Sequence, residues 1–189
     1  MGSEVKRILT YGGVNVPYTV SWTAEEPLFL ARCPEANALA LCQAERPGEG
    51  KPQFGKPHAN RQRRAIARML CDLCGQPLKT RTKVSLSHAR PVPHGAEGWA
   101  ILQVEPLLHR ECAAICLEQC PSLKRDVREG RLMVRQVTRH RVQFAIMSAE
   151  YCAEVTGERR KAAGHAKVEL LQWIERDAEW LTRGNGAAP

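Results

Sequence analysis

Two pairs of metal-type ligands constrain this chain more than any other feature. The first is Cys71-Asp-Leu-Cys74-Gly75, and the second, thirty-five residues on, is His109-Arg-Glu-Cys112. A C-x-x-C turn lets two thiolates converge on one ion, and a glycine directly after it supplies the left-handed backbone that the turn needs. Four N and S donors in two x-x pairs suit a tetrahedral structural zinc, so Cys71, Cys74, His109 and Cys112 are the expected ligands. A thioredoxin-like role for Cys71 and Cys74 requires the knuckle to follow a strand and open a helix. Here a helical stretch precedes it and a Gly- and Pro-containing stretch follows.

The ligand set has one competitor. Cys112, Cys116 and Cys120 recur every four residues on one helical face, so Cys116 is an alternative to His109. Otherwise Cys116 and Cys120 pack as small hydrophobes. Cys33, Cys42 and Cys152 lack ligand spacing and read as core thiols, with a second site at Cys33, Cys42 and a histidine as the lesser possibility. Eight cysteines without an export signal point to metal ligation and burial rather than to disulfides.

Charge is the second constraint. Among 189 residues, Lys+Arg number 28 against 20 Asp+Glu, a formal net charge of +8. Such a surplus favours a polyanionic partner, DNA or RNA first. Residues 51–70 hold six Lys/Arg and no acid, and residues 122–142 hold seven against two. Arg61, Arg63, Arg64 and Arg68 on one side, and Arg131, Arg135, Arg139 and Arg141 on the other, are the expected phosphate contacts. No apolar run approaches the ~20 residues of a membrane helix, and no signal-peptide core is present. The reading is a soluble cytoplasmic protein without membrane contact.

The pattern along the chain predicts an α+β fold in four segments. Residues 1–50 are β-rich, with runs at 7–11 and 14–22 separated by Gly12-Gly13, and a short helix after Pro34. Residues 51–60 form a Pro/Gly-rich linker. Residues 61–121 form the zinc module, opened by a helix over 61–70 capped by Asn60. Residues 122–189 carry a charged helix over 122–129, two strands at 132–138 and 141–147 turning at Arg139-His140, and a loop at 156–164. An amphipathic helix over 165–183 follows, and then a frayed tail from Gly184. Its stripe is Val168, Leu171, Ile174, Ala178 and Leu181, with Trp173 and Trp180 one heptad apart. The stripe packs on the core, or else offers a seam to a protein partner.

From Arg61 to Pro121 the chain resembles a treble-clef zinc finger, and within that group the HNH superfamily. A basic helix leads into the knuckle, and a hairpin ends in Ser87-His88-Ala89-Arg90-Pro91. A loop with Gly95 follows, and the second ligand pair opens a helix. The resemblance implies that His88 matches the general base, with Mg²⁺ or Mn²⁺ as the catalytic ion of such a nuclease. Ser87 stands where the family has an acidic ligand and Val104 where it has an asparagine, and Ala113 and Ala114 follow Cys112. The segment is also similar to uncharacterised zinc-knuckle proteins of actinobacteria and their phages, through Cys71–Gly75, Pro106–Ala113 and Cys120-Pro121-Ser122-Leu123. The expected function is therefore a non-catalytic, zinc-stabilised nucleic-acid-binding protein of phage or mobile-element type. The alternatives are an HNH-type endonuclease with altered ligands and a phage-type inhibitor module that binds protein.

Overall fold

Two long strands organise the molecule. In the computed structural model, which describes residues 8–78, 82–95 and 98–183, β11 (Met133–Met147) and β12 (Ala162–Arg176) pair antiparallel along almost their whole length. Both differ from expectation. Residues 132–147 do not turn at Arg139-His140. They run on as one strand with register shifts between Val137 and His140 and between Phe144 and Ile146, and bulges of this kind curl a strand without ending it. The expected helix over 165–183 is a strand followed by a short 3-10 turn, Ala178–Leu181. Ala166, Val168 and Leu170 are buried in alternation, which is the period of a strand. No helical seam with Trp173 and Trp180 exists; Trp180 instead lies under the guanidinium groups of Arg110, at 4.6 Å, and Arg176, at 5.3 Å.

The rest of the chain assembles on this ribbon. Near the N-terminus, β1 (Thr10–Tyr11) and β2 (Val14–Asn15) close around Gly12 and Gly13, both at positive φ, the hairpin that the sequence predicts. The expected strand start at Arg7 and the tail from Gly184 lie outside the described residues. Next come β3 (Val20–Trp22), then β4 (Phe29–Cys33) and β5 (Ala38–Cys42), which form a second hairpin in place of the expected helix after Pro34. Pro34 starts a turn closed by Asn37 N–H on the Pro34 carbonyl, and Asn37 adopts positive φ, so the chain reverses there. The expected linker is also structured: β6 (Pro52–Pro57) pairs with β3, and α1 (Ala59–Ala67) begins at once. His58, not Asn60, caps α1, because its Nδ1 accepts from Arg61 N–H; the Asn60 side chain is bonded to the Gln43 backbone instead.

The module follows as β7 (Lys83–Ser87), β8 (Val92–Pro93), β9 (Trp99–Gln103), β10 (Leu108–His109), α2 (Arg110–Gln119) and α3 (Pro121–Arg128). Pro121 at the start of α3 and Gly130 at positive φ beyond its end agree with the helix expected there. A fourth helix, α4 (Ala149–Thr156), capped by Ser148 and stopped by Gly157, connects β11 to β12. The main sheet runs β10-β7-β11-β12-β5-β4, with β9 also on β12 and β8 on β9. Strands from the N-terminal, middle and C-terminal segments thus share one sheet. One apolar cluster joins Cys71, Leu73, Val84, Leu86, Leu108 and Val134. Another joins Ile66 of α1 to Ile101, Val137, Val168 and Leu170.

Candidate metal centre and basic surface

The first ligand pair is fixed by the local backbone. Leu70 and Pro77 form a β-bridge around the knuckle, and Gly75 N–H donates to the Cys71 carbonyl at 2.9 Å. Gly75 sits at φ +67, and a Cβ there would lie 2.9 Å from the Tyr18 ring, so the turn requires glycine for conformation and for space. Asp72 N–H donates to the Leu107 carbonyl and so ties the knuckle to the approach of β10. His109 ends β10 and is the N-cap residue of α2, which places Cys112 in the first turn.

These elements bring Cys71, Cys74, His109 and Cys112 together, with one ligand atom of each within 4.8 Å of all the others. His109 Nδ1 is 3.4 Å from Cys74 Sγ and 3.8 Å from Cys112 Sγ. A tetrahedral ion with Zn–S bonds of about 2.3 Å sets its ligand atoms about 3.5 to 3.8 Å apart, so the donors fit such an ion in type and spacing. His109 Nε2 lies 3.1 Å from the Pro77 carbonyl, a contact that places the proton on Nε2 and leaves Nδ1 free to ligate. The cluster can hold a metal ion. It contains His109 and not Cys116.

The electrostatics agree with this geometry. Cys71 is held down to about 5, first by a hydrogen bond from the Cys112 thiol and then by backbone N–H donors, including those of Cys74 and His109, against the opposing effect of burial. Cys112 is pushed up by Cys71 and by burial, and Cys74 chiefly by burial. Without a cation the sulfurs share one stabilised thiolate and resist a second, a repulsion that a divalent cation relieves.

The arginines expected at phosphates are mostly engaged elsewhere. Arg61 is 2 % exposed and forms a bidentate pair with Glu25 at 2.5 and 2.7 Å. Arg63 is fully buried. Arg64 binds Glu45, and Arg68 binds Glu35 at 2.7 Å. Arg135 is also fully buried, with Nη2 on the Ala89 carbonyl at 2.9 Å and Nη1 near Ser87 Oγ. Arg61, Arg63 and Arg135 are therefore buried within the protein. Arg139 and Arg141 are exposed, and Arg141 pairs with Glu169 and touches His94 Nε2 at 2.6 Å.

Arg131 belongs to a cluster that the sequence did not reveal. Buried Asp126 of α3 gathers Arg131, Arg125 at 3.9 Å and His88 Nε2 at 3.2 Å, while Arg90 donates to the Arg131 carbonyl at 3.1 Å. Hydrogen bonding from Arg131 holds the Asp126 carboxyl below its usual range, so it stays charged. Lys124 and Arg128 are exposed on the same helix. Among the described residues no second group of three or more His, Cys, Asp and Glu ligands gathers, at His88 or elsewhere. Cys33, Cys42 and Cys152 are buried free thiols. No helix among the described residues is long and apolar enough to cross a membrane. No family model matches the chain, and neither a curated protein nor a solved structure matches it.

Proposed function

We propose that the protein is a non-catalytic nucleic-acid-binding protein of phage or mobile-element type, stabilised by a structural zinc on Cys71, Cys74, His109 and Cys112. The observation that carries the reading is the convergence of Arg125, Arg131 and His88 on Asp126, with Arg90 on the Arg131 carbonyl, on a helix adjoining the one that holds Cys112. Lys124 and Arg128 extend it, giving five Lys and Arg against Asp126 and Glu129. Asp126 and Glu129 both hold Arg131, and the five cations still exceed the two carboxylates, a surplus that suits contact with successive phosphates. The interface on this reading is α3 and the β7–β8 connection rather than α1. Zinc supplies the folding energy that joins knuckle to helix.

The test is fluorescence anisotropy with a labelled DNA duplex and the matching single-stranded RNA. Affinity should fall with a log–log salt slope of about −3 to −4, as expected for about four phosphates neutralised. The triple variant Arg90→Ala, Arg125→Ala, Arg131→Ala should bind at least about tenfold more weakly. Binding that ignores both salt and the triple substitution defeats the proposal.

A second reading rests on the same cluster. His88 is an exposed imidazole held by a buried carboxylate, the arrangement of an oriented general base. Nicking of supercoiled plasmid that needs Mg²⁺ or Mn²⁺ and disappears in His88→Ala makes the protein an HNH-type nuclease. Its absence beside a salt-sensitive shift leaves the non-catalytic reading.

A further inference from the structure

α2 and α3 share Cys120 as the end of one helix and the cap of the next, and they leave between them a groove of about 650 Å³. Ala114, Leu117 and Glu118 line it from α2 at helical spacing. Pro121, Lys124, Val127 and Arg128 do so from α3. Ala114, Leu117 and Val127 are half-buried and pack inward on the cluster around Cys71 and Val84, so the floor of the groove is the outer side of that core. Thr182 completes the lining, with its hydroxyl already donated to the Glu179 carbonyl.

The charges along this groove are unmatched. Arg125 and Arg131, the neighbouring arginines, have Asp126 and Glu129. Lys124 and Arg128 are exposed, and neither forms an ion pair among the described residues. They stand four residues apart on one face of α3, where like charges repel. Asp126 is two positions from each, which turns it to the other side of the helix. The single acid in the lining, Glu118, belongs to the α2 wall. The groove therefore joins an apolar floor to a positive wall on α3.

Phosphates find no donor on Ala114, Leu117 or Val127, so a nucleic acid leaves this floor unused. A helix uses both parts: the furrow between two helices accepts the ridge of a third, whose apolar residues at i, i+3 and i+4 cover the floor. We infer that the α2–α3 groove docks an acidic amphipathic helix of a partner protein. Its apolar stripe lies on Ala114, Leu117 and Val127, and its carboxylates lie along Lys124 and Arg128. Glu118 sets the orientation, because it repels an acidic edge placed towards α2. The inference goes beyond the nucleic-acid reading and shares only Lys124 and Arg128 with it.

Fluorescence anisotropy of the full chain with a labelled, end-capped helical peptide tests this, in the absence of nucleic acid. The probe has leucines at i, i+3, i+4 and i+7 and glutamates along one flank; one control replaces each glutamate by lysine, and another scrambles the order. The acidic probe should bind at least about tenfold more tightly than either control. The double variant Lys124→Glu, Arg128→Glu should reverse the preference between the acidic and lysine peptides, and since both side chains are exposed its melting temperature should stay that of the parent. Glu118→Lys should tighten binding of the acidic probe. Equal affinity for the acidic and lysine peptides, equal affinity for the scrambled peptide, or a preference that the double variant leaves unmoved overturns the inference. If the parent binds no peptide while the double variant loses affinity for a DNA duplex, the groove belongs to the nucleic-acid surface and the inference fails, although the nucleic-acid reading stands.

Discussion

Glu25 shows what a single side chain contributes here. It is fully buried, and burial raises its pKa, but hydrogen bonds from Arg61 and from the N–H groups of Trp22 and Arg46 outweigh that and hold the carboxyl below 4.5. A depressed folded-state pKa contributes stability that is present above about pH 4.5 and is lost as pH falls through the folded value. Glu25→Gln removes the charge and strands Arg61, so it should cost about 3 to 5 kcal/mol at pH 7. Urea titrations should show the gap between variant and parent narrowing below about pH 4. A gap independent of pH would separate the loss from the charge. Cys74→Ala should lower bound zinc from one equivalent towards none by metal analysis, and should lower the melting temperature by about 10 °C or more, since several kcal/mol of metal binding is folding energy. The cluster of Cys71, Cys74, His109 and Cys112 was legible in the sequence because its spacing is local: two x-x pairs and a glycine describe it. The fate of Arg61, Arg63 and Arg135 was not legible. Glu25 stands 36 residues from Arg61, and neither composition nor periodicity encodes such a pairing.

Among the elements, β12 departs furthest from its sequence pattern. Val168, Leu171, Ile174, Ala178 and Leu181 satisfy a helical period, but Ala166, Val168 and Leu170 satisfy a strand period equally well over the first half. Contacts distant in sequence decide between them. Val168 lies between Val142 of β11 and Gln103 of β9, with Leu170 between His140 and Ile101, and only a strand can be paired on both edges. Leu170→Ser should therefore cost about 3 kcal/mol or more, because it leaves a cavity and a hydroxyl in a fully buried site, as denaturant titration will show. The helices α1 and α3, by contrast, were legible to within three residues, although the cap of α1 is His58 and not Asn60. α4 passed unnoticed because eight residues carry too short a stripe.

For the molecule as a whole, one sheet drawn from all parts of the chain makes its folding units inseparable. The metal cluster adjoins that sheet through β10 and β7, and Cys71 and Cys112 share an apolar cluster with Val134 of β11. A chelator should therefore shift a single calorimetric transition to lower temperature rather than split it in two. A separate low-temperature peak on metal removal would mean that the centre serves only its own loops. The α+β class was legible in the sequence. The pairing of β6 with β3 was not, because Pro and Gly near 46–60 read as turns.

The position of β12 in the sheet also sets the order in which the protein can come into being. All four metal ligands have left the ribosome by Cys112, whereas β5, β9 and β11 await a partner strand that is made only from Ala162 onward. During synthesis the knuckle and α2 can come together while the edges of β5 and β9 are still open to any other strand. The β4–β5 pair and the β10-β7-β11 strands can form before then, but they remain two unjoined pieces of sheet until β12 arrives between them.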